Sequence, residues 1–299
     1  MSQNKFKGLG IALITPFRAD GSIDTEALVR LVDYQIKNGT DFLCIMGTTA
    51  ETPTLTAAEK KRILDLCAAP IKQAGRQLII GCGTNCTAST VENVRLAAAY
   101  QPDAALVVTP YYNKPNPSGM VAHFKAAAGV GLPLVLYHIP GRTGQKLSAP
   151  VLAALLQEIP QLIGVKESDY DMAHVTDTAV AYKKRLAYLC GNDDLFPQFL
   201  ALNASGIISA AACVLAPAFV KIYDLFKQGQ TQQAFDVFAQ IYPLVKACYL
   251  ETNPTCIKYM LSKRGYGTST VRLPLGEIST QNKTKIDTLL AQTPEEFLL

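Results

Sequence analysis

The chain has 299 residues, 49% of them hydrophobic and 17% charged, a balance that supports a large buried core and excludes a disordered chain. Its formal charge of +4 comes from 28 basic and 24 acidic residues scattered along the sequence, with no basic run interleaved with aromatics, so nucleic acid is excluded as the expected partner. The opening residues lack the apolar core of a secretory leader and no later stretch is long and apolar enough for a membrane span, so the expectation is a cytoplasmic protein with no membrane partner.

In chain order, short runs rich in Val, Ile and Leu alternate with longer stretches of helical period, the signature of repeated βα units around a parallel sheet. The runs are 11–15, 41–46, 78–82, 104–109, 133–138, 162–166, 186–190 and 206–209. Helix starts are marked between them. Asp24 precedes a helix whose inward face is Leu28, Leu31, Val32 and Gln35. Thr56 and Glu59 have the spacing of a capping box, and Thr87 and Ser148 are further N-cap candidates, the latter with Pro150 in the first turn. Eight strands each followed by a helix predict an α/β fold, a closed (β/α)8 barrel over residues 1–229. An open doubly wound sheet is the alternative, because periodicity does not prove closure. From about Gln230 the alternation stops, and Ala234, Phe235, Val237, Phe238 and Ile241 fall at helical spacing. A small all-helical domain is therefore expected over 230–299.

Eight cysteines (Cys44, Cys67, Cys82, Cys86, Cys190, Cys213, Cys248 and Cys256) form no CxxC and have no histidine pair beside them. They read as buried small hydrophobes, with no metal implied. Gly81-Cys82-Gly83 opens like a dinucleotide fingerprint, but Cys86 stands where the third glycine belongs and no suitable acid follows. No cofactor is implied.

In a barrel the chemistry gathers at the C-terminal ends of the strands, so polar residues that close apolar runs carry weight. The candidates are Gly47-Thr48-Thr49-Ala50-Glu51, Thr109-Pro110-Tyr111-Tyr112, Tyr137 through Arg142, and Gly164-Val165-Lys166-Glu167-Ser168. Lys166 ends a wholly apolar run, a setting that disfavours an ammonium, and a neutral lysine is a nucleophile for ketones. A lysine at a strand end can equally extend its head to water. Tyr137, one strand earlier at matching height, favours the first reading, since a phenol beside an amine can shuttle protons. Thr48, Thr49 and Tyr112 can complete a hydroxyl chain, each being donor and acceptor, although tyrosines at strand ends also simply fill a barrel mouth. Strand alternation points His138 away from Tyr137 and makes it structural. Gly191-Asn192-Asp193-Asp194 is a turn and helix start first, and a wall of the site second.

The motifs GTTAE, TPYYNKP, LYHIPGRTG, GVKES, GNDD and GIIS, in this order and spacing, resemble the dihydrodipicolinate synthase and N-acetylneuraminate lyase superfamily. The resemblance extends through Glu251-Thr252-Asn253-Pro254 and Arg272-Leu273-Pro274, and the Thr48-Thr49 pair with Arg142-Thr143-Gly144 places it on the synthase branch. It implies a lyase that joins pyruvate to aspartate 4-semialdehyde through a Schiff base, in lysine and diaminopimelate biosynthesis. Lys166 would bind pyruvate covalently, Tyr137 would be the general acid/base, and Thr48 with Tyr112 would relay protons. Thr49 and Ile208 would hold pyruvate, Gly191 would wall the substrate site, and Arg142 would take the carboxylate of the semialdehyde. The implied assembly is a homotetramer, a dimer of dimers in which Tyr112 reaches a neighbour's site. Ala50, His138 and Cys256 depart from the usual Gly, Asn and Pro. Ser89, Ala57 and Lys60 stand where lysine-inhibited relatives carry a glutamate and histidines, although Asn85 and Tyr111 are kept, which implies weak or absent inhibition by lysine. Two other readings are a sugar-acid or sialic-acid lyase, distinguished by what Arg142 meets, and a non-catalytic binding barrel, which would have lost the lysine or the tyrosine.

Overall fold

A computed structural model describes residues 6–299. Eight strands close into a barrel in chain order: β1 (Gly8–Ala12), β2 (Phe42–Ile45), β3 (Gln77–Gly81), β4 (Ala104–Val108), β5 (Leu134–His138), β6 (Leu162–Glu167), β7 (Ala187–Cys190) and β8 (Gly206–Ser209). Closure settles the choice against an open sheet. The strands are buried almost throughout and Val, Ile and Leu-rich, as parallel strands covered on both faces must be.

Seven strands lie close to their expected positions, but β1 spans Gly8–Ala12 rather than 11–15. Gly8 and Gly10 have low strand propensity and hide the start of the strand. The structure requires them there: a Cβ on Gly10 would lie 2.1 Å from the Phe42 ring, and Gly8 takes φ +82° while the next N–H, of Leu9, donates to Asp41 Oδ2 at 2.8 Å. The ladder runs on to Leu13, whose N–H donates to the Cys44 carbonyl at 3.0 Å, and Thr15 turns its hydroxyl to the Ala50 carbonyl instead.

The chain divides into two compact units, each built around its own strands. One comprises Gly8–Arg76 and Ser209–Leu299, with β1 paired to β2. Its helices are α1 (Thr25–Lys37) and α2 (Ala57–Gln73), then α9 (Ala212–Lys227), α10 (Thr231–Ala247), α11 (Thr255–Lys263) and α12 (Thr280–Gln292). Asp24 caps α1 by accepting from the Ala27 N–H at 3.0 Å, and Thr56 with Glu59 forms the full capping box on α2. Leu28, Leu31, Val32 and Gln35 are buried as expected, and Gln35 stays satisfied because its amide donates to the Cys213 carbonyl at 3.1 Å. On α10, Ala234, Val237, Phe238 and Ile241 are buried, but Phe235 is 50% exposed. It lies one residue, about 100° of helix, off the inward stripe.

The other unit holds Gln77–Ile208 together with Phe6 and Lys7. Its helices are α3 (Thr87–Ala98), α4 (Pro117–Ala128), a single turn α5 (Pro140–Thr143), α6 (Ala149–Glu158), α7 (Met172–Tyr182) and α8 (Phe196–Ala201). Thr87 is not a cap. Cys86 holds the N-cap position of α3 without a side-chain bond, and the Thr87 hydroxyl pairs instead with His123 Nδ1 on α4 at 3.0 Å. Ser148 occupies the N-cap position of α6, also without a side-chain bond, and Pro150 lies in the first turn. All eight cysteines are free and all but Cys86 are buried; Cys86 alone departs from the expectation. Among the described residues no helix is long and apolar enough to cross a membrane.

Burial holds His123 and His174 below the ordinary imidazole range. The folded protein therefore takes up these protons later than the unfolded chain, so their contribution is intact above about pH 6.5 and erodes as pH falls through that value. Urea midpoints measured at pH 7 and pH 5.5 are expected to fall with pH in the parent and to fall less in His123→Gln.

Candidate active site

The register of β5 against β6 decides which side chains meet. Leu134 pairs with Leu162 but Val135 pairs with Gly164, a shift that leaves Ile163 as an extra residue. Tyr137 then lies opposite Lys166, and His138 opposite Glu167. Successive strand side chains alternate between faces, so the Tyr137–Lys166 pair and the His138–Glu167 pair point opposite ways.

Lys166 is 6% exposed, and its Nζ lies 4.4 Å from the centre of the Tyr137 ring, itself buried. A cation so placed is attracted to the ring face, and the neutral amine keeps a lone pair to use. Two lysines are buried among the described residues, and they differ in kind. Lys258 forms an ion pair with Glu51, whereas no carboxylate among the described residues pairs with Lys166. Gly191, which follows β7, keeps the amine's stem clear: a Cβ there would fall 3.0 Å from Lys166 Cε and 2.0 Å from Ser168 Oγ. Ile208 is buried within β8.

Behind the lysine, His138 Nδ1 lies 2.8 and 3.0 Å from the two oxygens of Glu167, and its Nε2 accepts from the Leu147 N–H at 2.9 Å. The accepting Nε2 carries no proton, which places the proton on Nδ1, toward Glu167. His138 therefore lies on the face opposite the Tyr137–Lys166 pair, as the alternation predicts, with both ring nitrogens engaged. His138, Asp169 and His174 are close enough to hold a metal ion, but both nitrogens of His138 are committed and Lys146 pairs with Asp169 at 3.3 Å. The arrangement does not favour a metal.

Arg142 is exposed on the α5 turn, which Gly144 ends at φ +65° with its N–H on the Pro140 carbonyl at 2.8 Å. Tyr112 is 88% exposed and holds φ +68°, a left-handed conformation uncommon for tyrosine.

In the other unit, β2 leads into the short turn Thr48–Ala50, with Thr48 exposed and Thr49 buried. Thr49 Oγ1 accepts from Asn253 Nδ2 at 3.0 Å. Its own proton is left to donate, as an acceptor-only carboxylate requires. The next residue but one, Glu51, takes φ +53°, a conformation that costs a non-glycine residue about 1–3 kcal/mol. Its carboxylate is held by Lys258 and by the Arg272 N–H at 2.8 Å, and Lys258 in turn donates to the Thr270 carbonyl at 3.0 Å. Phe17 stacks on both cations, 3.8 Å from Lys258 Nζ and 4.3 Å from the Arg272 guanidinium. Burial draws the Lys258 ammonium down to about 8 despite Glu51, and the Arg272 guanidinium holds Glu59 at about 2. The Thr48–Thr49 turn thus rests on a buried ionic support. Asn253, Lys258 and Arg272 are not among the sequence-predicted site residues. Their only signal is that Asn253 and Arg272 lie in the two C-terminal motifs, and Lys258 has none.

The closed eight-stranded barrel defines a (β/α)8 protein in which a buried lysine faces a tyrosine on the adjacent strand. The chain belongs to the dihydrodipicolinate synthetase family, which it matches over residues 5–293. It is 38% identical to a 4-hydroxy-tetrahydrodipicolinate synthase of Phocaeicola vulgatus, covering 92% of this chain and 93% of that one. The solved 4-hydroxy-tetrahydrodipicolinate synthase of Methylacidiphilum fumariolicum superposes with a TM-score of 0.93 at 32% identity, over 98% of this chain and 97% of the other. A monomeric dihydrodipicolinate synthase variant gives the same TM-score of 0.93 at 32% identity, over 98% of each chain.

Removing one partner of a buried ion pair strands the other. Lys258→Met is expected to lower unfolding free energy by about 3–5 kcal/mol in denaturant titrations. The double variant Glu51→Gln/Lys258→Met should recover part of that loss.

Proposed function

We propose that the protein is a lyase that condenses pyruvate with aspartate 4-semialdehyde to give 4-hydroxy-tetrahydrodipicolinate, in lysine and diaminopimelate biosynthesis. The observation that carries the proposal is the buried Lys166 amine, unpaired and facing Tyr137. Family membership and the named relatives support it.

Lys166 attacks the pyruvate ketone, and loss of water leaves an imine. The imine draws electrons from the neighbouring methyl group, so a proton leaves and an enamine forms. Its carbon attacks the aldehyde, and the new oxyanion takes a proton to become the hydroxyl. The amino group of the second substrate then closes the ring on the imine carbon and releases Lys166. Tyr137 gives and takes the protons, with Thr48 and Tyr112 relaying them. Thr49 donates to the pyruvate carboxylate, Ile208 offers an apolar wall, and Gly191 leaves the room. Arg142 grips the carboxylate of the semialdehyde, for which a guanidinium fork is matched. The imine itself is the electron sink, so no metal or cofactor enters. The catalytic barrel is residues 1–229 and the helical domain 230–299, and the working form is a cytoplasmic homotetramer in which exposed Tyr112 serves a neighbouring subunit.

With pyruvate present, borohydride is expected to fix a reduced adduct on the peptide carrying Lys166, and Lys166→Ala to abolish it. Tyr137→Phe should slow turnover by about 10²- to 10⁴-fold in an assay coupled to a downstream reductase. An adduct on Lys114 or Lys146 would refute the assignment, and an adduct at Lys166 without use of aspartate semialdehyde would favour a sugar-acid lyase. Lysine, titrated at fixed pyruvate, is expected to leave the rate nearly unchanged into the millimolar range. Ser89 and Ala57 offer no carboxylate for its amino group, and Lys60 repels it.

A further inference from the structure

The His138–Glu167 pair is not used by the proposed reaction, yet it is buried and makes four hydrogen bonds, two within the pair and one each from the Asp169 and Leu147 N–H groups. Glu167 holds the Nδ1 side of the ring, and its Oε1 also accepts from the Asp169 N–H at 2.8 Å. The other nitrogen accepts from the Leu147 N–H. His138 ends β5 and Leu147 lies just ahead of α6, so this one bond closes the loop 139–146 on itself. Arg142 stands in the middle of that loop, on the α5 turn. The loop is pinned elsewhere by Thr143 Oγ1 to the Ile139 carbonyl at 3.1 Å, by Gln145 Nε2 to the Pro115 carbonyl, and by Lys146 paired with Asp171 at 2.6 Å and Asp169 at 3.3 Å. Of these anchors, only His138 ties the far end of the loop back to the strand that carries Tyr137.

We propose that His138, oriented by Glu167, is a positioning residue for the second substrate: it fixes Leu147, thereby the 139–146 loop, and so sets Arg142 against the substrate carboxylate. This rests on the function proposed above. The imidazole meets two needs at once. Glu167 needs a donor and Leu147 needs an acceptor, placed on opposite sides of one rigid ring, and neutral histidine supplies both. An asparagine at this position would have an amide that ends at the level of Nδ1, so it could serve Glu167 but would fall short of Leu147. A loose loop leaves Arg142 with more conformations to lose on binding, which weakens affinity for the aldehyde without touching imine formation.

The test is His138→Asn, which keeps the donor for Glu167 and removes the acceptor for Leu147. Amide exchange at Leu147 is expected to quicken about tenfold or more, because its protecting bond is gone. KM for the semialdehyde should rise about tenfold, while KM for pyruvate and borohydride trapping at Lys166 stay within about twofold. His138→Gln, whose amide reaches the level of Nε2, should restore most of both. In an Arg142→Ala background His138→Asn should add no further rise in KM, since its effect passes through Arg142. Unchanged exchange at Leu147 would overturn the clamp whatever the substrate. An equal loss in trapping and in KM, or a full additional loss in the Arg142→Ala background, would show that His138 acts on the fold at large. If the parent enzyme itself does not use the semialdehyde, the proposed function fails and the substrate half of this inference with it, while the exchange measurement still judges the clamp.

Discussion

The extra residue at Ile163 governs much of what this molecule can do. Strand side chains alternate with a period of two, so a slip of one residue sends every side chain beyond it to the opposite face. Had the pairing that begins at Leu134 and Leu162 run on unbroken, Tyr137 would face Val165 and His138 would face Lys166. The bulge restores the tyrosine to the lysine and gives the histidine to Glu167. Gly164 follows immediately, where a Cβ would press within 3.2 Å of the Ala187 carbonyl and 3.3 Å of Val135. A small residue lets the bulged strand settle between its neighbours.

Two buried lysines are accommodated in different ways. Burying an ammonium is costly unless it is paired, and the Lys258 pairing with Glu51 offsets that cost within a cage that includes Arg272 and Phe17. That arrangement supports the Thr48–Thr49 turn and holds Glu51 in its left-handed conformation. Lys166 has no such partner among the described residues, and it is the amine proposed to react with the ketone. The same reasoning separates His138 from His123: His138 has both nitrogens satisfied, while the buried Nε2 of His123 finds no partner among the described residues and burial lowers its pKa.

Donor and acceptor accounting also links each unit to the substrates proposed for it. Pyruvate and aspartate semialdehyde both carry carboxylates, which only accept. Asn253 donates to Thr49 Oγ1 and leaves the threonine's proton to give, and the proposed His138 clamp acts on the loop that carries Arg142. In both cases the residue proposed to meet substrate is set by a neighbour that does not.

The sequence by itself determined the alternation of strands and helices, the caps at Asp24 and Thr56, and the lysine and tyrosine that end their apolar runs, because each of these is written in local spacing. Its misreadings have local causes too: glycines masked the start of β1, and Thr87 looked like a cap while its hydroxyl served His123 on another helix. Only the tertiary structure decided that the sheet closes, that Ile163 is extra, that Glu51 meets Lys258, that Asn253 turns Thr49 and that His138 holds Leu147. Thr49 and Asn253 stand 204 positions apart, and no periodicity in a chain records a contact made at that distance; the packing of the folded chain creates it.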